Sequence, residues 1–177
     1  MGYLMSVTVE VADGVAVVRL DQDPPARLRA LLPTLTGVRG LVLHACPCEV
    51  SPASVRGVVG VPPSARRAHD RELRALREEL AELPVPVVAA IGRSASGDLA
   101  VLADACDRRV LAEGGDLVRV TGGGVVVARR VDADEALRTG LVDRVVAPAQ
   151  VLSAAVELAK ECKSTQDSRK SCRIVAP

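Results

Sequence analysis

Apolar residues recur along this chain with two periods, two and about 3.6, and the switches between them outline alternating strands and helices. Ser6 to Val11 alternates as a strand, Ala12-Asp13-Gly14 supplies a turn, and Val15 to Leu20 reads as the returning strand. An Asp-Gly pair between two such runs predicts a hairpin, because tight hairpin turns need residues that accept positive φ. Asp21 to Pro25 breaks the pattern. Ala26 to Leu35 then reads as a short amphipathic helix interrupted near Pro33, which lacks the N–H that a helix interior needs. Gly40 to His44 is an apolar run suited to a buried strand, and Ala45 to Pro63, rich in Pro, Ser and Gly, reads as a loop.

The clearest helix follows, with Leu73, Leu76, Leu80 and Leu83 at three- and four-residue steps between Arg and Glu. Ser64 is placed to cap it, and Pro84 and Pro86 stop it. Val85 to Ile91 is another apolar strand, leading into the small-residue turn Gly92 to Gly97. Asp98 stands where a helix begins, Leu99 to Ala105 continues it, and Arg108 to Leu111 is the next strand. Leu117 to Val120 and Val125 to Ala128 read as short strands around Thr121-Gly122-Gly123-Gly124. Asp132 caps a helix from Ala133 to Thr139 that Gly140 closes, and a last strand (Leu141 to Val146) and helix (Pro148 to Lys160) complete the pattern. Such alternation predicts an α/β domain over residues 1–160, followed by a polar tail over 161–177.

Composition narrows the function classes. Of 177 residues 49% are hydrophobic and only 1% aromatic, so Val, Leu, Ala and Ile must fill the core and a base-stacking nucleic-acid platform is not expected. A net charge of +1 provides no global field for DNA, RNA or an anionic bilayer. No apolar run approaches the roughly 20 residues of a membrane span, and no secretory leader is visible, which makes cytoplasm the expected compartment. Five cysteines, Cys46, Cys48, Cys106, Cys162 and Cys172, argue against a disulfide framework. Cys46-Pro47-Cys48 has no second Cys/His pair at ligand spacing, so no metal site is expected.

The chemistry should sit at the strand, turn and helix running from Val87 to Leu99. A buried strand delivers the chain to a tight turn, and the N–H groups of a helix start beside it stabilise negative charge. Aimed at a thioester carbonyl, they form half of an oxyanion hole. The competing account is an ordinary strand-to-helix connection in which small residues permit close packing.

The stretch from Leu83 through Cys106-Asp107 resembles the signature of the crotonase (enoyl-CoA hydratase/isomerase) superfamily. Ser6 to Leu20 is similar to that family's opening hairpin, Val38 to His44 to its central strand, and Ala133 to Val146 to its "A-e-A-l-x-x-G-L-V-d" segment. The resemblance implies a truncated crotonase-like (ClpP/crotonase) ββα spiral fold. It also implies an acyl-CoA or acyl-carrier-protein thioester held by two backbone N–H groups. Residue by residue, one donor falls on Asp98, where the family has glycine, and the other on Ser51, or on Pro52 if no gap is allowed. Of the two hydratase carboxylates, one position holds Val101, and the segment that carries the other is missing, since Gly114 to Arg130 is too short for it. Syn-hydration needs both, so altered chemistry (isomerisation, dehydration or decarboxylation) is expected. The alternative is a non-catalytic auxiliary subunit that assists a partner enzyme.

Asp98 and His44 are the candidates for replacement acid/base groups, with a structural or solvated role as the competing account of each. His69-Asp70 on the long helix faces the same region, and Asp104 suits either a catalytic part or an ion pair. Thr121 to Gly124 looks like a phosphate nest, but no Walker lysine follows it. Arg66, Arg67, Arg71, Arg74 and Arg77 form a basic side of the long helix, either solvated or meeting CoA phosphates or an acidic carrier protein. The resemblance implies no cofactor beyond the CoA of the substrate. It also implies a trimer-based homo-oligomer or an assembly with a partner enzyme.

Overall fold

The computed structural model describes residues 8–20, 25–45, 63–122 and 126–162. Strands β1 (Thr8–Ala12) and β2 (Val15–Leu20) form an antiparallel hairpin in which Ala12 pairs with Val15. Asp13 and Gly14 turn the chain with φ of 52° and 80°, as an Asp-Gly hairpin requires. Helix α1 (Pro25–Leu31) runs into a single 3-10 turn (Leu32–Thr34), the break expected at Pro33. Strand β3 (Gly40–Ala45) lies parallel to β2, and after the long helix α2 (Pro63–Glu82) strand β4 (Val87–Ile91) lies parallel to β3. Ser64 is not the cap of α2, as it already lies inside the helix. Pro63 takes the first helical position, where a missing N–H costs nothing.

A two-residue strand, β5 (Ser94–Ala95), precedes α3 (Asp98–Ala105) and β6 (Arg108–Ala112). A hairpin of β7 (Asp116–Gly122) and β8 (Val126–Asp132), longer than the sequence pattern predicts, leads to α4 (Ala133–Arg138). Asp132 caps α4 by accepting from the Glu135 N–H at 2.8 Å. Strand β9 (Arg144–Val146), a 3-10 turn (Pro148–Gln150) and helix α5 (Val151–Glu161) close the described chain. The main sheet has the order β1-β2-β3-β4-β6-β9, and β5-β7-β8 form a second, smaller one.

Side chains alternate between two cores. Ala16, Val18, Leu41, Leu43, Val87, Ala89, Ile91 and Leu111 face the helices α1 to α4, with Leu73, Leu76 and Leu80 packed over them. Val15, Val17, Val42, Val88, Ala90, Val110 and Ala112 face the opposite side, which α5 covers with Val151, Ala154, Ala155, Leu158 and Ala159. Strands buried on both faces explain the continuous apolar runs of β3 and β4.

Carboxylates stitch the starts of the strands together. Asp107 accepts from the Val87 N–H at 2.8 Å and donates its own N–H to the Val87 carbonyl. Asp143 does the same one strand over, accepting from the Arg109 N–H and donating to the Arg109 carbonyl. Arg29 ties α1 to α2 through Glu79 and Glu72. Lys160 of α5 donates to Asp13 of the hairpin, and that bond holds the Asp13 carboxyl below its ordinary range.

The far end of β4 is held by the second sheet. Ser94 and Ala95 pair with Asp116 and Leu117, and the Asp116 N–H donates to the Arg93 carbonyl at 2.9 Å. The chain approaches itself so closely here that a Cβ on Gly115 would stand 2.5 Å from the Arg93 oxygen and 2.9 Å from the Ala112 oxygen. Gly115→Ala is therefore expected to destabilise by about 1–3 kcal/mol in urea unfolding, with an unchanged slope. A loss under about 0.5 kcal/mol would show that the contact is slack.

Candidate functional site

The parallel strands β3 and β4 end side by side, with Ala45 paired to Ile91. In parallel α/β sheets the crevice beyond the carboxyl ends of the strands is the usual place for a ligand. Two segments leave the sheet there, the one after Ala45 and the turn after Ile91. Ser51, the expected first N–H donor, belongs to the former and lies outside the described residues, as do Pro52, Cys46 and Cys48.

After Ile91 the turn is fixed by β5 and then reversed by Gly97, whose φ of 56° and ψ of −131° favour glycine. A Cβ there would meet nothing within 4 Å, so backbone conformation rather than space sets the requirement. Gly97 is the N-cap of α3, and Asp98 is its first residue, with no side-chain cap bond. Asp98 thus stands at the beginning of the helix, as the sequence pattern places it, with Gly97 in the cap position. The first intrahelical bond runs from the Val101 N–H to the Gly97 carbonyl, so the N–H groups of Asp98 to Ala100 precede the ladder.

The Asp98 carboxylate instead reaches across to α2, where its Oδ2 lies 2.6 Å from Nε2 of His69. Both side chains are close to half exposed, 43% for His69 and 48% for Asp98, so the pair is open to an incoming molecule. Geometry explains why they meet. His69 stands four residues before Leu73 on the same stripe as Leu76 and Leu80, the face of α2 that packs on the core. A 20-residue helix spans about 30 Å, whereas the five-residue strand β4 spans about 17 Å, so the first half of α2 overhangs the carboxyl ends of the sheet. The overhanging turn carries an imidazole in place of a leucine. The 69-73-76-80 spacing was the sequence signal for that partner.

His44 is placed elsewhere. Leu41 and Leu43 face the α1–α4 side, and His44 shares the parity of Val42, the side covered by α5. Its register partners are Arg19 and Ala90. It is half-buried, on the face of the sheet opposite the one that α3 packs against. Val101 is partly buried against the core and carries no proton-transfer chemistry. Asp104 is exposed, and among the described residues it makes no ion pair. Asp70 is exposed on α2. Of Thr121 to Gly124, Thr121 and Gly122 end β7, and residues 123 and 124 lie outside the described set.

Arg109 secures the other end of α3. Its guanidinium donates to the carbonyls of Ala103, Cys106 and Leu141 at 2.7 to 3.2 Å. Beside it the Cys106 thiol donates to the Leu102 carbonyl, and burial, only partly offset by Arg109, pushes that thiol up to about 12. Among the described residues no group of His, Cys, Asp and Glu is arranged to hold a metal ion, and no helix is long and apolar enough to cross a membrane.

No protein-family model matches the chain. Solved structures do. A Legionella pneumophila protein described as a candidate enoyl-CoA hydratase/isomerase (crotonase) superposes with a TM-score of 0.80 at 17% identity, covering 98% of this chain and 84% of that one. An enoyl-CoA hydratase from Bacillus anthracis gives 0.72 at 23% identity, covering 88% and 75%. A monofunctional enoyl-CoA isomerase from M. smegmatis gives 0.68 at 23%, covering 97% and 95%. The chain has the crotonase fold, as the resemblance of its motifs implied.

The Cys106 thiol generates a pH test. Its folded pKa is raised, so the unfolded chain gives up this proton first, and the associated stability is intact below about pH 8.5 and is lost as pH rises toward 12. Cys106→Ala is expected to be less stable at pH 7 yet to lose stability less steeply between pH 9 and 11. Parallel slopes for the two proteins in chemical unfolding would contradict the buried, neutral thiol.

Proposed function

We propose that this chain binds an acyl thioester across the carboxyl ends of β3 and β4 and moves a proton on its acyl group with the His69–Asp98 pair. The observation that carries the reading is that pair, 2.6 Å apart at the start of α3. The crotonase fold supports it, and the similar structures include proteins described as a hydratase and an isomerase of enoyl-CoA.

In this reading the thioester oxygen meets the Asp98 N–H, with the N–H of Ser51 as the second donor. A carboxylate beside a developing enolate is unfavourable if it stands alone, because like charges at short range repel. Hydrogen bonding to His69 draws charge away from the oxyanion and holds the ring in place. In the tautomer that donates Nε2–H to Asp98, Nδ1 remains as an acceptor. It takes the α-proton of a β,γ-unsaturated acyl group, the electron pair moves into a dienolate, and the imidazolium returns the proton at the γ-carbon. The net change is a double-bond shift. Hydration, which needs two carboxylates at the family positions, is not proposed.

The auxiliary-subunit alternative requires a broad exposed apolar surface. Among the described residues the exposed large hydrophobics are Val11 on β1 and Leu137 on α4, on separate elements, which favours ligand binding.

Proline is tolerated at the first helical position, so Asp98→Pro removes both the N–H and the carboxylate, whereas Asp98→Ala removes the carboxylate alone. Calorimetry with short acyl-CoAs should show binding to the native protein and to Asp98→Ala. The native protein should exchange the α-protons of the acyl group with D2O, followed by NMR. His69→Ala is expected to slow exchange about 10²-fold or more with affinity little changed, and Asp98→Pro to lose roughly a further 10²-fold relative to Asp98→Ala. Absence of acyl-CoA binding would overturn the reading, and binding without exchange would return the protein to the auxiliary class.

A further inference from the structure

The outer face of α2 carries a basic stripe that nothing in the proposed chemistry uses. Arg67, Arg71 and Arg74 stand at i, i+4 and i+7, with Arg77 beside them, and all four side chains are exposed. Among the described residues none of the four is in an ion pair. The helix does pair its charges elsewhere: Glu72 and Glu79, on its flank, are both held by Arg29 of α1. Asp70 and Glu78 share the outer face and only partly offset it. Desolvating arginines without partners is costly, so the stripe suits contact with negative charge rather than burial against an apolar surface.

We infer that this face docks an acidic acyl-carrier protein, which presents its acyl group to the crevice as a pantetheine thioester. The inference rests on the proposed thioester site and names the source of the thioester. Position is compatible with it, because Arg67 and Arg71 flank His69 along the overhanging half of α2, on its outer rather than its core-facing side, so an acyl arm from a partner seated there has one helix to pass around on its way to the crevice. Shape supports it. From Arg67 to Arg77 the stripe runs about 15 Å along a convex helix. A nucleotide is bound by a concave pocket that encloses it, whereas an acidic helix can lie along a convex basic one. Complementary charge of this kind steers encounter and fixes orientation. The chain's single aromatic residue and net charge of +1 offer little to a nucleic acid.

The test compares one acyl group, butyryl, on two carriers, CoA and an acidic acyl-carrier protein. The native protein should bind the protein-borne thioester more tightly than the CoA form, and more weakly as salt rises. The double variant Arg71→Glu/Arg74→Glu should weaken carrier-protein binding at least about tenfold while leaving butyryl-CoA binding and α-proton exchange unchanged. Both residues are exposed, so the fold is expected to survive, and thermal unfolding checks this. Equal carrier-protein binding by the native and reversed proteins overturns the docking inference and leaves the thioester site standing. Failure of both thioesters to bind removes the site and the inference together.

Discussion

Strand β4 is the constraint on which the rest of the molecule depends. Its five side chains are buried on both faces, and parallel neighbours bond it on both edges. Its start is clamped by the Asp107 carboxylate, and the turn beyond its end is held where the Arg93 carbonyl accepts from Asp116 and β5 pairs with β7. A segment held in this way cannot slide by one residue without exchanging its two core faces. The reversal at Gly97 and the start of α3 are therefore fixed in space, together with the N–H of Asp98.

Acidic residues in this chain divide by what they hold. Asp107 bonds the backbone of Val87, the first residue of β4, and Asp143 bonds the backbone of Arg109 and, at 2.6 Å, the side chain of Arg108 at the start of β6. These are the carboxylates of the two motif ends that resemble the crotonase pattern, and their work is register and closure. Asp98 differs in being half exposed, in standing at a helix start where a negative charge is favoured, and in having an imidazole as its partner. Asp98 falls where the family pattern has glycine, and α2 sets an imidazole beside its carboxylate.

Much of this was legible in the sequence. The hairpin, β3, β4 and the start of α3 follow from period-two runs, an Asp-Gly turn and a glycine before an apolar helix. Strand β5 was not, because two residues are too few for a period to show. The cap of α2 went to Ser64 on residue preference, yet Pro63 satisfies the same helix end by needing no donor. His44 is a candidate because it is a titratable group near the end of a buried strand, a position that by itself leaves its face open. Counting parity from Leu41 and Leu43 would have set it on the opposite face. His69 was visible as a basic ring on the leucine stripe, but its bond to Asp98 depends on the overhang of α2, which is a tertiary property.

The central claim is that an acyl thioester settles at the opening of α3. The most direct measurement is a two-dimensional 15N–1H NMR titration of the labelled protein with a non-reactive acyl-CoA thioether. The account predicts that the Asp98 and Leu99 amide signals and the His69 ring move together and saturate with one dissociation constant. Shifts confined to the α5 face, around His44 and Ala90, with Asp98 and His69 unmoved, would contradict it.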